Sequence, residues 1–574
     1  MPSYDRQSRK VAPCNASQVL SVLAPVIRTL STLRLARATS LTLARATFIA
    51  ATAAATAVAM SGCATRPPAS SFDQPVSHAM PQSTSTPLGA ALAAPEAAHP
   101  GQSGFRVLSS GTEALQMRIA LARAATKTLD MQYYIANEDT TGKLLLAAAL
   151  YAADHGVRVR MLVDDLNFKD LDDVMASLNT HPNIEIRVFN PFGSAQGSLY
   201  QRTENFFTQI GSFTRRMHNK AMIADNELAI VGGRNLGDEY FSASPTLQFR
   251  DIDVLAAGPI TAKISTSFDE YWNDSSAYPL RALNKQTFDP KQLDETRDAL
   301  RAHWHQNADP YDAKPLNATP LASQIQKDEL GLTWAPAEFN ADSPAKVRLP
   351  EDQYQSPVIA RIAELVNEAQ QEVLITSPYF VPHDAGVKAL AGLTARGVKV
   401  KVLTNSLAAT DAVAVQAGYS PYRDPLLRAG VELYEFKPVQ EQGSRTGMFG
   451  SQSRASLHAK TLVFDRKTLV IGSMNLDPRS AHLNTELGLV IHSAPLAEQV
   501  ATLFDRVTGP QSSYHVTLAD PSRFFFRGPE TPYHLVWTDE EDGHTVTYDV
   551  DPNAGFYRNV LTGLFLFLPV DDQL

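Results

Sequence analysis

The chain has 574 residues, of which 44% are hydrophobic and 19% charged, and it carries a net charge of -9 at neutral pH. These are the proportions of a globular protein too long for one ordinary domain, and the acidic balance argues against a partner held by bulk positive charge, so no nucleic-acid partner is expected. Cys14 and Cys63 are the only cysteines, which excludes a disulfide scaffold and a cysteine-built zinc site.

At the amino end, "ATFIAATAAATAVAM" (46–60) is an uncharged run between Arg45 and "SGC" (61–63), with Arg34 and Arg37 upstream. A basic region, an apolar region and a small-residue cleavage site follow one another in a secretory signal. The 15-residue run is shorter than the roughly 20 residues a membrane-spanning helix needs, so a short anchor or a buried helix are the competing readings. With Cys63 at its end, the segment resembles a bacterial lipoprotein signal. That resemblance implies removal of residues 1–62 and lipidation of the Cys63 thiol. Ala64 supplies no acidic inner-membrane retention cue, so the expected setting is a periplasm-facing lipoprotein, with the outer membrane favoured and a cytoplasmic or peripheral inner-membrane location as the alternative. Residues 63–104, rich in Pro, Ala and Ser, are expected to form a flexible tether.

The body repeats. "LDMQYYI" (129–135), a helix-like "LLLAAALYAADHG" (144–156) and "VRVRMLVDD" (157–165) are echoed by "VLITSPYFV" (373–381), "VKALAGLTARG" (387–397) and "VKVKVLTNS" (398–406). Strand, helix and strand in this order make a parallel sheet with a crossover helix. The glycines before the second strands are offset by 397 − 156 = 241. "HNKAMIAD" (218–225) and "HAKTLVFD" (458–465) are offset by 458 − 218 = 240, so one displacement relates scaffold and motif. The expected organisation is a first lobe over 105–280, an inserted connection over 281–355, a second lobe over 356–510, and a carboxyl-terminal hairpin and apolar segment over 511–574.

Each motif is predicted to lie on a hairpin, turning at Asn226 and Glu227 in the first copy and at Arg466 and Lys467 in the second. Alternation along a strand puts His218 and Lys220 on one face, and likewise His458 and Lys460. Asp225 and Asp465 close the motifs at the strand end, where a turn-supporting role is expected, although the motif as a unit counts them in the catalytic set. Seventeen residues after each histidine stand Asn235 and Asn475, in "GGRN" (232–235) and "GSMN" (472–475). Gly233 and Ser473 in these loops, with the asparagine amides, are candidates to surround an anion. Asp253 in "RDIDV" and Glu486 in "NTELG" are candidates to accept a hydrogen bond from a histidine ring.

Two imidazoles in one site divide two jobs that need opposite protonation states at the same moment. One attacks phosphorus and the other protonates the departing alkoxide. Lysines and asparagines hold the phosphoryl oxygens, and no cofactor or metal is needed to make the nucleophile. At these residues the chain resembles the phospholipase D superfamily. The resemblance implies an α/β fold of two pseudo-symmetric lobes, each a mixed sheet flanked by helices, with the active site at their interface and a phosphohistidine intermediate. It makes His218 the candidate nucleophile and His458 the candidate acid, with the reverse assignment as competitor. "SLNTHPNIEIRVFNPF", "LTNSLAATDAVAVQAGYSPYR", "RAGVELYEFKP" and "GSMNLDPRSAHLNTELGLVI" are similar to the bacterial cardiolipin synthase C group, over roughly residues 105–574. That likeness implies transphosphatidylation: a phosphatidyl group from phosphatidylglycerol or phosphatidylethanolamine is passed through histidine to a hydroxyl of phosphatidylglycerol. The expected partners are phospholipid substrates and a membrane surface.

Three classes stay open on the residues alone: a phosphatidyltransferase, a phosphodiester hydrolase, and a non-catalytic lipid-binding protein. "GFYRNVLTGLFLFLP" (555–569), after an expected hairpin at 533–550, is either a lipid-dipping segment or core. "PYFVPHDAG" (378–386) lines a pocket or packs as a loop, and Arg215 and Arg216 either meet lipid phosphates or are a solvated pair. His303, His305 and His482 are expected at the surface or in support.

Overall fold

A computed structural model describes residues 72–165, 172–191, 215–283, 290–312, 320–438, 454–519, 535–541 and 543–555, with Arg558 and Thr562. The signal segment, Cys63 and most of the carboxyl-terminal apolar run lie outside the described residues.

The first lobe contains α1 (Pro87–Ala98), β1 (Ser103–Leu108), α2 (Gly111–Ala124), β2 (Thr128–Tyr133), α3 (Thr140–Asp154), β3 (Arg158–Asp164) and β4 (Ile184–Phe189). Its motif hairpin is β5 (Ala221–Ala224) and β6 (Leu228–Gly232), followed by β7 (Leu247–Arg250), β8 (Asp253–Ala257), α4 (Pro259–Trp272) and β9 (Ala277–Pro279). Between the repeats come α5 (Pro290–Asn307), β10 (Thr333–Ala335) and β11 (Ala337–Ala341). The second lobe contains α6 (Pro357–Glu368), β12 (Glu372–Thr376), α7 (His383–Ala395), β13 (Lys399–Asn405), β14 (Glu432–Phe436) and β15 (Arg454–Leu457). Its motif hairpin is β16 (Thr461–Phe464) and β17 (Thr468–Gly472), and the chain continues through β18 (Leu487–His492), α8 (Ala494–Val507), β19 (Ser513–Leu518), β20 (Leu535–Glu541) and β21 (His544–Tyr548).

The repeat read from the sequence is a repeat of topology. One sheet runs β10-β1-β8-β6-β5-β2-β3-β4-β9 and the other β11-β18-β17-β16-β12-β13-β14-β19-β20-β21. In each, three parallel strands (β2, β3, β4; β12, β13, β14) adjoin the antiparallel motif hairpin. The alanine- and leucine-rich α3 crosses between β2 and β3, started by the Asp139 side chain, which accepts the Gly142 N–H at 2.9 Å. Buried Val, Ile and Leu on both faces fit these strands to a covered parallel sheet. The fold is therefore α/β with two mixed sheets, as the sequence predicts.

The lobes meet through apolar contact. One continuous core takes Val231 and Val254 from the first sheet, Leu469, Ile471 and Leu489 from the second, and Phe268, Trp272 and Phe504 from α4 and α8. Backbone pairing adds to it: β15 runs parallel to β7 across the junction, and Met217 bridges Thr485.

Two expected boundaries are redrawn. The stretch 281–355 is more than a connection, because β10 pairs with β1 and β11 with β18, giving each sheet an edge strand. The expected tether is also built into the first lobe over its described part. Arg160 donates to Ser77 O at 2.9 Å, Gln82 Nε2 to Asn226 O at 2.9 Å, and the Ser83 N–H to Glu227 at 2.7 Å. Helix α1 then seats Leu88, Ala91 and Leu92 in the lobe's core, with Thr86 capping it and Pro87 in its first turn. Since Leu92 is fully buried, Leu92→Ala should cost about 2–5 kcal/mol in chemical denaturation; a freely moving tether would show no change.

Candidate active site

Both motif hairpins close on a two-residue turn with positive φ at each central residue: Asp225 (53°) and Asn226 (57°), Asp465 (53°) and Arg466 (52°). Such turns match the right-handed twist of paired strands. The Asp225 carboxylate accepts the N–H groups of Thr126 (2.9 Å), Lys127 (2.7 Å) and Thr128 (2.9 Å). Asp465 does the same for Gln370 (3.0 Å), Gln371 (2.7 Å) and Glu372 (3.0 Å). These aspartates pin the hairpin to the start of the neighbouring central strand, at the end away from the histidines. Counting them with the catalytic set is thus corrected: their carboxylates are consumed by backbone, and they set the motif's position.

At the other end, each histidine is fastened to the opposite lobe. The His218 N–H donates to Thr485 O at 3.0 Å, and the His458 N–H donates to Arg250 O at 2.8 Å. The rings are oriented across the same seam. His218 Nδ1 lies 3.0 Å from both oxygens of Glu486, and His458 Nδ1 lies 2.6 Å from Asp251 Oδ2. With Nδ1–H given to a carboxylate, the neutral ring presents its lone pair on Nε2.

Of the two carboxylates expected from the sequence to orient the rings, Glu486 does so and Asp253 does not; Asp251 takes that place. Asp253 opens β8, paired with Gly232 and Leu108, and its carboxylate is held by Arg118 at 2.9 Å and Arg234 at 3.1 Å. Asp251, two residues earlier and ahead of the strand, is the one that turns to the second lobe. "RDID" offers two aspartates of the same parity, so alternation gave no means of separating them. Gly233 has its reason here as well, because a Cβ there would come within 2.4 Å of Asp251 Oδ1. At the matching position, Ser473 donates from Oγ to Glu486 and accepts the Leu487 N–H at 3.0 Å. Gly233 and Ser473 thus serve the two orienting carboxylates.

Lys220 Nζ donates to His218 O at 2.6 Å, and Lys460 Nζ to His458 O at 2.5 Å and lies 3.1 Å from His458 Nδ1. The Asn235 amide is committed within its own lobe, accepting from the Ile135 N–H at 3.2 Å and donating to Tyr240 Oη at 3.0 Å. Asn475 keeps a buried Oδ1 with no hydrogen-bond partner among the described residues. The sequence reading overlooked the aromatic walls. Tyr134 stands edge-on to His218 at 5.0 Å, while Tyr240 and Phe249 approach His458 at 5.2 Å and 4.8 Å between ring centres. Arg216 is fully buried on Asp164 (2.7 Å), and Arg215 turns to Leu349 O and Glu351, so neither is a solvated cation.

Burial decides the electrostatics. It holds His218 well below the ordinary imidazole range, helped by Lys220, Lys460 and His458. His458 is lowered by burial and Lys460, against the pull of Asp251. Burial also brings both lysines down, Lys220 furthest. It pushes Glu486 up to about 7 against Lys220, whereas in Asp251 the facing His458 and Lys460 outweigh burial and keep the carboxylate low. The geometry sets one imidazole kept from charging opposite a second beside a firm carboxylate, with two buried lysines beside them.

Paired histidine–lysine motifs facing each other across two duplicated lobes define a class of phosphodiester-handling enzymes. Residues 118–272 and 362–508 match the family model described as "Cardiolipin synthase, PLD-like domain". The chain is 39% identical to cardiolipin synthase C of Escherichia coli strain K12 over 478 residues, 82% of this chain and 96% of that one. It is 27% identical to cardiolipin synthase A of Pseudomonas aeruginosa strain PAO1 over 401 residues, 70% of this chain and 66% of that one. Among solved structures, phosphatidylserine synthase of Haemophilus influenzae Rd KW20 aligns with a TM-score of 0.48 at 15% identity, over 73% of this chain and 90% of that one. The chain belongs to the phospholipase D superfamily, in the family of cardiolipin synthase PLD-like domains.

Asp477, beside the site, is also buried, and this pushes its carboxyl up to about 7. A carboxyl raised in the folded state adds stability that is full below its unfolded value near 4 and is lost as pH rises through about 7. Asp477→Asn keeps an oxygen for the Ser480 N–H, now at 2.7 Å. The variant should unfold at a higher temperature than the parent at pH 8 and lose that advantage at pH 5, as read by calorimetry.

Proposed function

We propose that the protein is a phosphatidyltransferase that makes cardiolipin by transphosphatidylation. The observation that carries this reading is the pair of imidazoles from different lobes, each turned by a carboxylate of the other lobe. Membership of the cardiolipin synthase family supports the lipid substrate. His218, held lower than His458, is the nucleophile: its Nε2 attacks phosphorus, the bond to the head-group oxygen breaks, and that oxygen takes a proton from His458. In the second half the acceptor hydroxyl returns a proton to His458 as its oxygen bonds phosphorus and the phosphorus–nitrogen bond breaks. Asp251 keeps its charge and stabilises the His458 imidazolium, while Lys220 and Lys460 face the phosphoryl oxygens. The two rings share one anion and titrate as a pair. Phosphatidylglycerol or phosphatidylethanolamine is the donor and phosphatidylglycerol the acceptor.

Lipid mass spectrometry on the purified protein, supplied with phosphatidylglycerol with and without phosphatidylethanolamine, tests the reading. Cardiolipin should form, and His218→Ala or His458→Ala should each lower its rate by at least about 100-fold. Phosphatidic acid without cardiolipin would make water the acceptor and the protein a hydrolase.

On this reading the enzyme works at a membrane surface. Among the described residues no helix is long and apolar enough to cross a membrane, and the attachment is assigned to acylated Cys63 on a periplasm-facing chain. Metabolic labelling with a fatty acid should mark the wild type and leave Cys63→Ser unlabelled; an unlabelled wild type would remove the lipoprotein assignment.

A further inference from the structure

The pseudo-twofold symmetry of the site breaks at one charged position. Leu236 bridges Ala136 in the first lobe and Leu476 bridges Phe380 in the second, so "LGDEY" (236–240) and "LDPRS" (476–480) are matching loops. Three residues past each leucine, the first lobe has Glu239 and the second Arg479. Glu239 is engaged within its own lobe, accepting from Asn137 Nδ2 at 3.2 Å.

Arg479 has no such engagement. Its guanidinium makes no ion pair or side-chain hydrogen bond among the described residues, although it is half-buried. It stands on a single wide helical turn, Arg479–Leu483, inside the loop that joins Asn475 to Glu486. That turn is fixed: Asp477 accepts the Ser480 N–H at 2.7 Å, Lys346 Nζ donates to Ser480 O at 3.0 Å, and the Asn484 N–H donates to Arg479 O at 2.8 Å. Asn484 Oδ1 in turn accepts the Arg216 N–H, two residues before His218. The charge of Arg479 reaches His218 and Tyr134, which places it on the nucleophile's side of the pocket. The nearby carboxyls are poor counter-ions, because burial holds both Asp477 and Glu486 up to about 7. A half-buried guanidinium on a rigid turn, lacking a carboxylate partner beside a site for a phosphodiester, is a fork built to take two anionic oxygens.

We propose that Arg479 is a phosphate-binding residue, gripping the non-bridging oxygens of the substrate phosphodiester on the His218 side; its match in the first lobe, Glu239, supplies no such cation. It deepens the transferase reading without requiring a lipid acceptor, since a hydrolase would present the same anion. Because the head group leaves on the side of His458, Arg479 holds the phosphoryl group and its diacylglycerol arm through both halves of the reaction. The Arg479 contact is lost by neither the leaving group nor the acceptor.

The test is thermal unfolding of the full chain with inorganic phosphate as probe, repeated with short-chain phosphatidylglycerol micelles, beside lipid kinetics. Wild type should be stabilised by both anions. Arg479→Gln should keep the unliganded midpoint and lose most of both shifts, while its KM for donor lipid rises about 10- to 100-fold, the range of a charge-assisted hydrogen bond; Arg479→Lys should recover part of each. Equal shifts in wild type and Arg479→Gln would overturn the proposal, as would an unliganded midpoint lowered by several degrees with donor KM unchanged. A shift with phosphate but not with micelles would restrict Arg479 to free phosphate and would likewise overturn it. Phosphate binding lost in Arg479→Gln, in a wild type that makes neither cardiolipin nor phosphatidic acid, would keep this assignment and sink the transferase reading.

Discussion

Each histidine of the pair is held by a carboxylate of the lobe it does not belong to, and much of the structure serves that exchange. Glu486 can reach His218 only if β18 and the first motif hairpin keep their register across the seam, and Asp251 can reach His458 only if β7 and β15 pair as they do. The apolar layer between the sheets supplies the rigidity, because close-packed side chains of both lobes leave little freedom for sliding. Asp225 and Asp465 fix the far ends of the hairpins. Neither lobe contains a complete site, which is the physical reason for two copies of the motif in one chain.

The same burial makes the site hungry for an anion. Lys220 and Lys460 are held below the usual ammonium range by desolvation, and of the two orienting carboxylates only Asp251 is kept firmly ionised. Buried cations without full counter-charge are costly, and a bound phosphodiester supplies what is missing. Arg118, Arg234 and Asp253 show the contrasting solution nearby, a buried cluster whose charges pair within the protein. The two carboxylates also differ in strength: Glu486 near 7 is a weaker support for a charged ring than Asp251. A fold built from near-equal halves thereby gives its two imidazoles different protonation tendencies.

What the sequence displayed and what it hid follow from the range of each signal. The duplicated strands, the hairpins and the His-x-Lys spacing are local patterns, and the constant offset of about 240 residues made them legible. The carboxylates obey no such offset: Asp251 follows His218 by 33 residues and Glu486 follows His458 by 28. The loops before β8 and β18 differ in length, so a partner defined by contact across the seam had no fixed place in the repeat. The segment 72–98 misled by composition. Pro, Ala and Ser suggest a linker, yet Leu88, Ala91 and Leu92 lie on one helical face and supply enough apolar surface to dock it. Strands β10 and β11 escaped for the opposite reason, since edge strands are partly exposed and carry little periodic signal.

The surroundings of the rings bear on the choice between an alcohol and water as acceptor. Tyr134 covers an edge of His218, and Tyr240 and Phe249 cover His458. Aromatic rings beside both imidazoles lower the local dielectric and strengthen the carboxylate–histidine contacts. A lipid hydroxyl arrives with an apolar body that can use those faces; water cannot. On the proposed reading, the burial that depresses the histidines' charge also favours a lipid hydroxyl over water, so nucleophile activation and acceptor choice follow from one physical cause.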